Sequence, residues 1–282
     1  MGVPLHVGVV ISTLGRSVSL NLLFESLLKQ THKPVQVVVV DQGEGTTVSA
    51  LVEKWQGVLP IVRITTPRGV SMGRNAGWRA ITGCDVIAFP DDDCSYEPSA
   101  FARAVAVFER EHVDAISGKL QGTRQRVAFT GPRCEIDRTN VWSKAIEATM
   151  FFSAHALALT GGFDESLGLG AKTMWQSGEG TDILLRLMKA GGRALFEPAI
   201  VVTEHQVEIS QDRYASKARA YGRGTGRVYR MHYGPLRCAA VVAKPLFGAA
   251  YLGAKGMRSE ALAKVYAALG RIEGMSGFSG KR

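Results

Sequence analysis

Apolar and polar positions follow two alternating periods through the first hundred residues of the chain. Short runs that are apolar at nearly every position are separated by segments in which apolar residues recur on one face of a helix. The predicted strands are Val7–Ile11, Val37–Val40, Ile61–Ile64 and Val86–Phe89, and the predicted helices are Ser17–Lys29, Val48–Trp55 and Ser71–Ile81. Strands that are apolar on both faces and alternate with helices are typical of a parallel sheet covered on both sides. The pattern therefore predicts an α/β fold.

The pattern is less regular in the second hundred residues. We expect a helix from Glu97 to about Glu111, a strand at Ala115–Leu120, a helix at Thr181–Lys189 and a strand at Ala199–Thr203. Between these elements lie a polar stretch (Gln121–Asn140), an apolar run (Met150–Leu159) and a glycine-rich segment (Leu167–Gly178). The glycine-rich segment is predicted to be a mobile loop.

Polar residues follow each of the first four predicted strands. They are Thr13 after the first strand, Asp41 after the second, Arg74 and Asn75 after the third, and Asp91, Asp92 and Asp93 after the fourth. The carboxyl ends of parallel strands share one edge of the sheet, where open α/β folds bind their ligands. The sequence therefore predicts a polar binding site at that edge, although plain loops also carry such residues.

The three consecutive aspartates call for a positive partner. Carboxylates this close repel one another and raise their own pKa values. A divalent cation removes that repulsion, and Mg²⁺ and Mn²⁺ prefer oxygen ligands. If the strand continues, alternation places Asp91 and Asp93 towards one ligand and Asp92 away from it. A solvated acidic turn is the alternative explanation.

From Val7 to His205 the chain resembles the family 2 glycosyltransferases. The resemblance depends on several short motifs in the family's order: Val9-Val10-Ile11-Ser12-Thr13 with Arg16, Ser26–Thr31, Val38–Asp41, Gly69–Gly77, Phe89–Asp93, Gly161–Glu165, and Gly178–Asp182 with Arg186. It implies a GT-A fold, in which a Rossmann-like, mostly parallel central sheet is flanked by helices, here with a C-terminal helical extension. It also implies an enzyme that binds a nucleotide-sugar donor with Mn²⁺ or Mg²⁺.

The resemblance implies a role for each residue at the predicted edge. The implied donor-binding residues are Thr13 and Asp41 for base and ribose, Arg74 for the diphosphate or the donor pocket, Asn75 beside it, and Asp91 and Asp92. The implied metal ligands are Asp93 and His205. Plainer roles remain open: a strand-end cap for Thr13, a turn residue for Asp41, a surface salt bridge for Arg74, a local turn cap for Asn75, and a histidine without metal for His205.

The catalytic base is where the chain departs from the family pattern. The family places this base as the aspartate of a Glu-Asp pair, and here the pair reads Glu179-Gly180. Glu179 and Asp182 are the two candidates, and Glu179 is favoured because it precedes the predicted helix. Both also fit simple N-terminal capping of that helix. Trp175 is expected either to stack on an acceptor sugar or to anchor the glycine-rich loop.

The net charge of +9 is concentrated near the C-terminus. Ten basic residues and no acidic residue lie between Arg213 and Arg258, and the apolar stretch Cys238–Ala254 lies inside that block. This combination predicts a helix in the plane of an anionic membrane surface, or else a helix packed on the catalytic domain. Nucleic acid is the less favoured partner of the basic residues.

Two regions are expected on this basis. Residues 1–207 form the catalytic domain, with a donor half of about 1–120 and an acceptor half of about 121–207, and residues 208–282 form a basic, largely helical extension. The four cysteines show no paired spacing, which fits a reducing cytoplasm. We expect a cytoplasmic protein that is peripheral on the inner membrane's cytoplasmic face.

The sequence favours one function over two others. The favoured function is a metal-dependent inverting glycosyltransferase acting on a glycan or lipid-linked saccharide, in bacterial-type cell-surface or exopolysaccharide synthesis. A sugar nucleotidyltransferase is less favoured because Val10–Arg16 has a single glycine and no phosphate loop. A non-catalytic protein that binds sugar nucleotide, membrane or nucleic acid remains open, since the Glu-Asp pair is missing.

Overall fold

The computed structural model describes residues 4–122, 130–205 and 211–277, with residues 211–215 described for their backbone alone. Residues 123–129 of the predicted polar stretch, the side chain of Arg213 and the predicted boundary at residue 207 lie outside the described residues. The chain divides into two compact units. The first comprises residues 1–68, 72–163 and 183–206, and the second comprises residues 69–71, 164–182 and 207–282. The grouping of residues 164–182 with the C-terminal helices was not anticipated, and the predicted domain boundary stays a prediction.

Among the described residues, a nine-stranded sheet forms the centre of the first unit. Its strands are β1 (Val7–Thr13), β2 (Gln36–Asp41), β3 (Ile61–Thr65), β4 (Val86–Ala88), β5 (Cys94–Tyr96), β6 (Ala115–Gly122), β7 (Cys134–Ile136), β8 (Met150–Ser153) and β9 (Ala194–Glu204). The order is β3-β2-β1-β4-β8-β6-β9-β5, and β7 pairs with β9. The first four strands are parallel, as predicted.

The other half of the sheet is mixed. β8 runs antiparallel to both β4 and β6, whereas β6 and β9 are parallel. The strand β8 occupies the first part of the apolar run Met150–Leu159, and a helix occupies the rest. The change happens at Ser153, whose side chain accepts a hydrogen bond from the backbone N–H of Ala156 and so caps the helix.

Ten α-helices and a short 3₁₀ helix (Glu147–Thr149) lie in the described part of the chain. They are α1 (Ser17–Leu28), α2 (Thr47–Trp55), α3 (Val70–Ala80), α4 (Ala100–Arg110), α5 (Val141–Lys144), α6 (Ala154–Thr160), α7 (Glu179–Lys189), α8 (Gln211–His232), α9 (Pro235–Ala254) and α10 (Arg258–Met275).

Helix α1 shows why the predicted layers form. Its positions Leu20, Leu23, Phe24 and Leu27 recur every three or four residues, and each side chain is fully buried. Burying a Leu or Phe side chain contributes roughly 1.5–3 kcal/mol. The strands β1 and β2 are buried on both faces, as their continuous apolar sequences predict.

Two glycines bring α3 close to the parallel strands. A methyl group at Gly77 would overlap the side chain of Val10 on β1, and one at Gly73 would overlap Ser12 at the end of that strand. Only glycine therefore fits at these positions without displacing the strand. This close packing positions Arg74 and Asn75, which lie between Gly73 and Gly77, beside the carboxyl edge of the sheet.

The second unit contains the helices α8, α9 and α10. Glycines lie four residues apart where α8 and α10 cross: Gly222 and Gly226 on α8, Gly270 and Gly274 on α10. A methyl group at any of them would overlap the backbone of the opposite helix. The two helices therefore touch along their backbones, as helices with small residues every four positions do.

An ion-pair cluster lies beside this crossing. Glu273 on α10 accepts hydrogen bonds from the guanidinium groups of Arg219 and Arg223 on α8, and Arg223 Nε lies 2.6 Å from Glu273 Oε2. These partners lower the pKa of Glu273, with the hydrogen bond from Arg219 as the largest cause. The acidic residue nearest to the end of α10 is thus committed to the helix pair.

Replacing Gly274 by alanine tests the backbone contact. We expect Gly274→Ala to lower the free energy of unfolding by about 1–3 kcal/mol, because the added methyl group has no space. Gly253→Ala on α9 is the matched control, since its methyl group would meet nothing within 4 Å. Alanine there is expected to stabilise the helix by up to about 1 kcal/mol. Urea unfolding gives both values, and stabilisation by both substitutions would contradict the close crossing.

Candidate active site

The ends of β1 and β4 bring Thr13 and Asp92 together. Both residues are buried, and Thr13 Oγ1 donates a hydrogen bond of 2.6 Å to Asp92 Oδ2. Thr13 Oγ1 also accepts a hydrogen bond of 3.1 Å from the backbone N–H of Gly15. A parallel bridge between Ser12 and Asp91 holds the two chain segments side by side. The predicted convergence of these strand ends is therefore present.

The three aspartates form a turn instead of continuing the strand. The backbone N–H of Cys94 closes the turn on the carbonyl oxygen of Asp91 at 3.1 Å. The expected alternation, with Asp91 and Asp93 towards one ligand and Asp92 away, is therefore wrong, because it holds only in extended backbone. Asp92 and Asp93 converge instead, since Arg16 Nη1 lies 3.2 Å from one and 2.5 Å from the other.

Burial changes the titration of these carboxyls. It raises the pKa of Asp92 to about 6, and the hydrogen bond from Thr13 and the charge of Arg16 oppose that rise without cancelling it. The pKa of Asp93 is also raised, first by burial and then by the nearby charge of Asp91. Burial and mutual repulsion thus disfavour the charged form of these carboxyls even with Arg16 in contact.

Two arginines already supply positive charge to the turn. Arg16 reaches Asp92 and Asp93 from a largely exposed position. Arg74 is 3% exposed, and its Nη2 atom lies 2.9 Å from Asp91 Oδ1. The repulsion among the aspartates therefore does not by itself require a metal ion, contrary to the argument from sequence. Sequence reasoning overlooked Arg16 as a partner, although it lies three residues after Thr13.

Asp41 ends β2 and is held by Arg63 of β3. Arg63 Nε and Nη2 donate to Asp41 Oδ2 at 3.0 and 2.8 Å, and the backbone N–H of Gly43 donates to Oδ1 at 3.0 Å. Asp41 pairs with Thr65 in the sheet register, so Arg63, two residues earlier, lies on the same face. The single arginine in an otherwise apolar strand was the signal for this partner.

Asn75 is used to join two segments of the chain. Its side-chain amide donates to the carbonyl of Phe163 at 2.9 Å and accepts the N–H of the same residue at 2.8 Å. Arg186 donates to the carbonyl of neighbouring Gly162 at 2.7 Å. These contacts of Asn75 are not the local turn cap named as its plainer role, because Phe163 lies 88 residues away, in the Gly161–Glu165 motif. The donor role of Asn75 stays a prediction.

His205 follows β9 next to the aspartate turn. Its backbone N–H donates to the carbonyl of Asp93 at 2.7 Å, because β5 and β9 pair with Cys94 opposite Glu204. Its Nε2 atom lies 2.8 Å from Ser95 Oγ. Within the described ranges no group of three or more Asp, Glu, His or Cys side chains is arranged to hold a metal ion. Its role as a ligand stays a prediction.

Two carboxylates nevertheless fit a divalent ion. Asp92 and Asp93 converge on one cation, the guanidinium of Arg16. Mg²⁺ sites that act on phosphates need only one or two protein carboxylates, because phosphate oxygens and water complete the shell. The oxygens present at the turn therefore suit a metal that arrives with a diphosphate.

The candidate bases lie in the second unit, in the first turn of α7. Asp182 is fully buried, and its Oδ1 atom lies 2.7 Å from Nε2 of His232 on α8. Glu179 is 8% exposed. No local pattern singles out His232, since its partner lies fifty residues earlier in the chain.

Trp175 is a buried side chain of the same unit. It is 5% exposed, and the guanidinium carbon of Arg227 lies 4.2 Å from its ring centroid. The buried position of Trp175 fits an anchor for the glycine-rich loop better than a platform that stacks on an acceptor sugar. The backbone N–H of Gly168 also donates to the carbonyl of Trp175 at 2.9 Å, so hydrogen bonds tie the glycine-rich segment together.

Residues 8–158, more than half of the chain, match the profile described as Glycosyl transferase family 2. The chain belongs to glycosyl transferase family 2. The match confirms the resemblance seen in the sequence, and it covers the strands that carry Thr13, Asp41 and the aspartate turn.

An uncharacterized glycosyltransferase of Nostoc sp. is one relative within this comparison. It is 28% identical to the family 2 chain over 166 residues, which are 55% of this chain and 50% of the relative. The alignment thus spans about half the length of that relative. The family match and this relative support a glycosyl-transfer enzyme.

Two solved structures share the fold of this family 2 chain. TarS of S. aureus in complex with UDP-GlcNAc has a TM-score of 0.61 at 16% identity, covering 95% of this chain and 90% of TarS. The mannosyltransferase PcManGT from Pyrobaculum calidifontis, in complex with GDP-Man and Mn²⁺, has a TM-score of 0.66 at 17% identity. The match covers 96% of this chain and 88% of PcManGT. The predicted GT-A fold is confirmed.

The raised pKa of Asp92 gives a testable pH dependence. A carboxyl whose pKa is higher in the folded state than in the unfolded state destabilises the fold once pH exceeds its unfolded value. In chelator-treated buffer, Asp92→Asn should therefore stabilise the protein increasingly from pH 4 to pH 6, reaching up to about 3 kcal/mol above that.

The measurement is urea unfolding of the parent and the variant across this pH range. Thr13→Val is the companion variant, because it removes the hydroxyl that lowers the pKa of Asp92. It should move the pH transition of the parent upwards. Parallel stability profiles for the parent and Asp92→Asn would show that the carboxyl has its ordinary pKa.

Proposed function

We propose that this family 2 chain is a metal-dependent, inverting glycosyltransferase that transfers a sugar from a nucleoside diphosphate to a glycan or a lipid-linked saccharide. The observation that carries the proposal is the convergence of Thr13, Asp92 and Asp93 at the carboxyl ends of β1 and β4, with Asp41 at the end of neighbouring β2. Ligands of open α/β sheets bind at that edge.

The donor is proposed to bind along this edge. Asp41 is proposed to contact the ribose or base, with its carboxylate oriented by Arg63 and by the backbone N–H of Gly43. Arg74, with its buried guanidinium, suits the diphosphate or the sugar. The neighbours solved with UDP-GlcNAc and with GDP-Man and Mn²⁺ support a nucleotide sugar as the donor class.

Asp93 and Asp92 are proposed to hold the divalent ion, with His205 as a further ligand. Such an ion neutralises the charge that develops on the departing diphosphate. The side chains of Thr13 and Arg16 orient and neutralise the aspartates of this turn. Thr13 fixes the orientation of the Asp92 carboxylate, and Arg16 keeps the turn neutralised until the donor arrives.

Glu179 is proposed as the base that takes the proton from the acceptor hydroxyl during inverting displacement. Its competitor Asp182 is fully buried and hydrogen-bonded to His232, which suits a carboxylate that fixes the packing of α7 against α8. The family's usual aspartate is replaced by Gly180. Glu179 is the other acidic side chain in the first turn of α7.

The acceptor and location are proposed from the basic C-terminal helices. The net charge of +9 is concentrated in these helices, and a positive surface of this kind fits an acceptor that is a lipid-linked saccharide at the cytoplasmic face of the inner membrane. This setting corresponds to cell-surface or exopolysaccharide synthesis of the bacterial type.

Nucleotide binding tests the donor site directly. We expect one nucleoside diphosphate, among UDP, GDP, CDP and ADP, to raise the melting temperature, and Mn²⁺ to increase that rise. Saturating ligand at about 100 times its Kd stabilises the native state by roughly 2.7 kcal/mol. The Asp93→Ala variant should lose the part of the melting-temperature rise that depends on Mn²⁺. Its transfer rate should fall at least about 100-fold.

Arg16→Gln is the matched variant for the metal. Removing a competing cation from Asp93 should tighten Mn²⁺ binding about two- to fivefold, as the loss of an exposed ion pair implies. Paramagnetic resonance of free Mn²⁺ measures this without any turnover. An unchanged Mn²⁺-dependent shift in Asp93→Ala would place the ion elsewhere.

Replacing each candidate base by its amide separates the two. Glu179→Gln should lower kcat by about 10²–10⁴-fold with little change in KM for the donor, because a positioned base contributes that much. Asp182→Asn should mainly lower the melting temperature, since it removes the charge that faces His232. A folded, inactive Asp182→Asn beside a fully active Glu179→Gln would reverse the assignment.

A further inference from the structure

Helix α9 turns a row of large apolar side chains to solvent. Leu236, Phe247 and Tyr251 are 87%, 77% and 60% exposed. Phe247 and Tyr251 follow Leu236 by about three and four helical turns, so the three share one face of the helix. The opposite face contains Pro245, which is buried. Single exposed apolar residues are ordinary, but an aligned row of this kind marks an interaction surface.

Basic residues border this apolar face. Arg237, Lys244 and Lys255 are exposed, and successive members lie about two and three helical turns apart. They therefore lie along one edge of α9 or just beyond its end. Lys255 Nζ lies 4.5 Å from the ring centroid of Tyr251, which places a cation and an aromatic ring at the same end of the helix. This combination suits the boundary between headgroups and acyl chains.

The charge of the segment from Arg213 to Arg258 favours an anionic bilayer over other partners of α9. No acidic residue occurs in the sequence between Arg213 and Arg258. A strongly basic stretch without acidic residues complements a uniformly anionic surface. Nucleic acid would match the cations but would leave Leu236 and Phe247 in water. An anionic bilayer accommodates both the cations and the apolar row.

The packing of α10 decides between lying on a bilayer and crossing it. On length and composition, Pro235–Ala254 is the one helix in the described ranges that is long and apolar enough to span a membrane. However, α10 packs along α9, and it carries Glu273 in contact with Arg219 and Arg223 of α8. A spanning α9 would draw these charges into hydrocarbon, which is strongly unfavourable.

We propose that α9 lies in the plane of an anionic phospholipid bilayer. Leu236, Phe247 and Tyr251 enter the acyl region. Arg237, Lys244 and Lys255 contact lipid phosphates. Interfacial helices bury their apolar face by roughly 5–10 Å. The inference deepens the membrane contact in the proposed function by naming the surface that makes it, and it does not require that the chain transfer sugar.

Vesicle sedimentation of the full chain tests the surface. The probes are vesicles of phosphatidylcholine alone and of phosphatidylcholine mixed with phosphatidylglycerol. We expect binding to the mixed vesicles, with the partition coefficient lowered by roughly 100-fold in a triple Leu236→Ser, Phe247→Ser, Tyr251→Ser variant. These side chains are exposed, so the variant should keep the parent's melting temperature.

Charge is tested by a second triple variant, Arg237→Gln, Lys244→Gln, Lys255→Gln. It should lose roughly 100-fold in binding to the mixed vesicles, at about fivefold for each cation. Two triple variants of exposed residues in the first unit are the matched controls. The control for the apolar row is Val18→Ser, Val58→Ser, Val62→Ser, and the control for the cations is Lys29→Gln, Lys33→Gln, Lys54→Gln. Both control variants should bind vesicles like the parent.

Three outcomes would overturn the proposal. Equal binding by the α9 variants and their controls would show that α9 is not the lipid surface. Resistance of the bound chain to alkaline carbonate would show that α9 spans the bilayer. A parent dimer that the apolar variant converts to monomer, without vesicle binding by either, would identify a second copy as the partner. Donor hydrolysis, measured in the same samples, keeps failure of this surface distinct from failure of the proposed enzyme activity.

Discussion

Buried carboxylates at the edge of a parallel sheet need cations, and the first unit is organised around that need. Asp41 and Asp92 are each less than a tenth exposed, and each lies within hydrogen-bond reach of an arginine. A carboxylate removed from water is tolerated only when it is paired and hydrogen-bonded. Arg63 provides this for Asp41, and Arg16 provides it less completely for Asp92, whose pKa remains high. The edge thus concentrates buried carboxylates and their arginine partners at the ends of β1, β2 and β4.

The part of the fold that local sequence pattern determines could be predicted. The strands β1 to β4 and helices α1 to α3 appear in the expected order because their apolar periods reflect burial directly. The turn after β4 could not be predicted in the same way. The hydrogen bond from Cys94 to Asp91 is local, but the contacts of Arg16 with Asp92 and Asp93 are tertiary and leave no local pattern in the sequence.

Partners distant in sequence account for the remaining differences. His232 and Asp182 are separated by fifty residues, and no motif joins them. Asn75 was expected at the donor site or in a local cap, and its amide exchanges two hydrogen bonds with the backbone of Phe163, 88 residues away. In both cases the hydrogen bond joins segments that are distant in sequence, so no local pattern predicts it.

The glycine crossing of α8 and α10 limits how the second unit can vary in length. Inserting or deleting one residue within either helix would rotate the glycines away and bring a side chain to the point where the two backbones touch. Such a change would separate the helices or end one of them early. Length differences among relatives that keep this pair should therefore occur in the connections at residues 233–234 and 255–257.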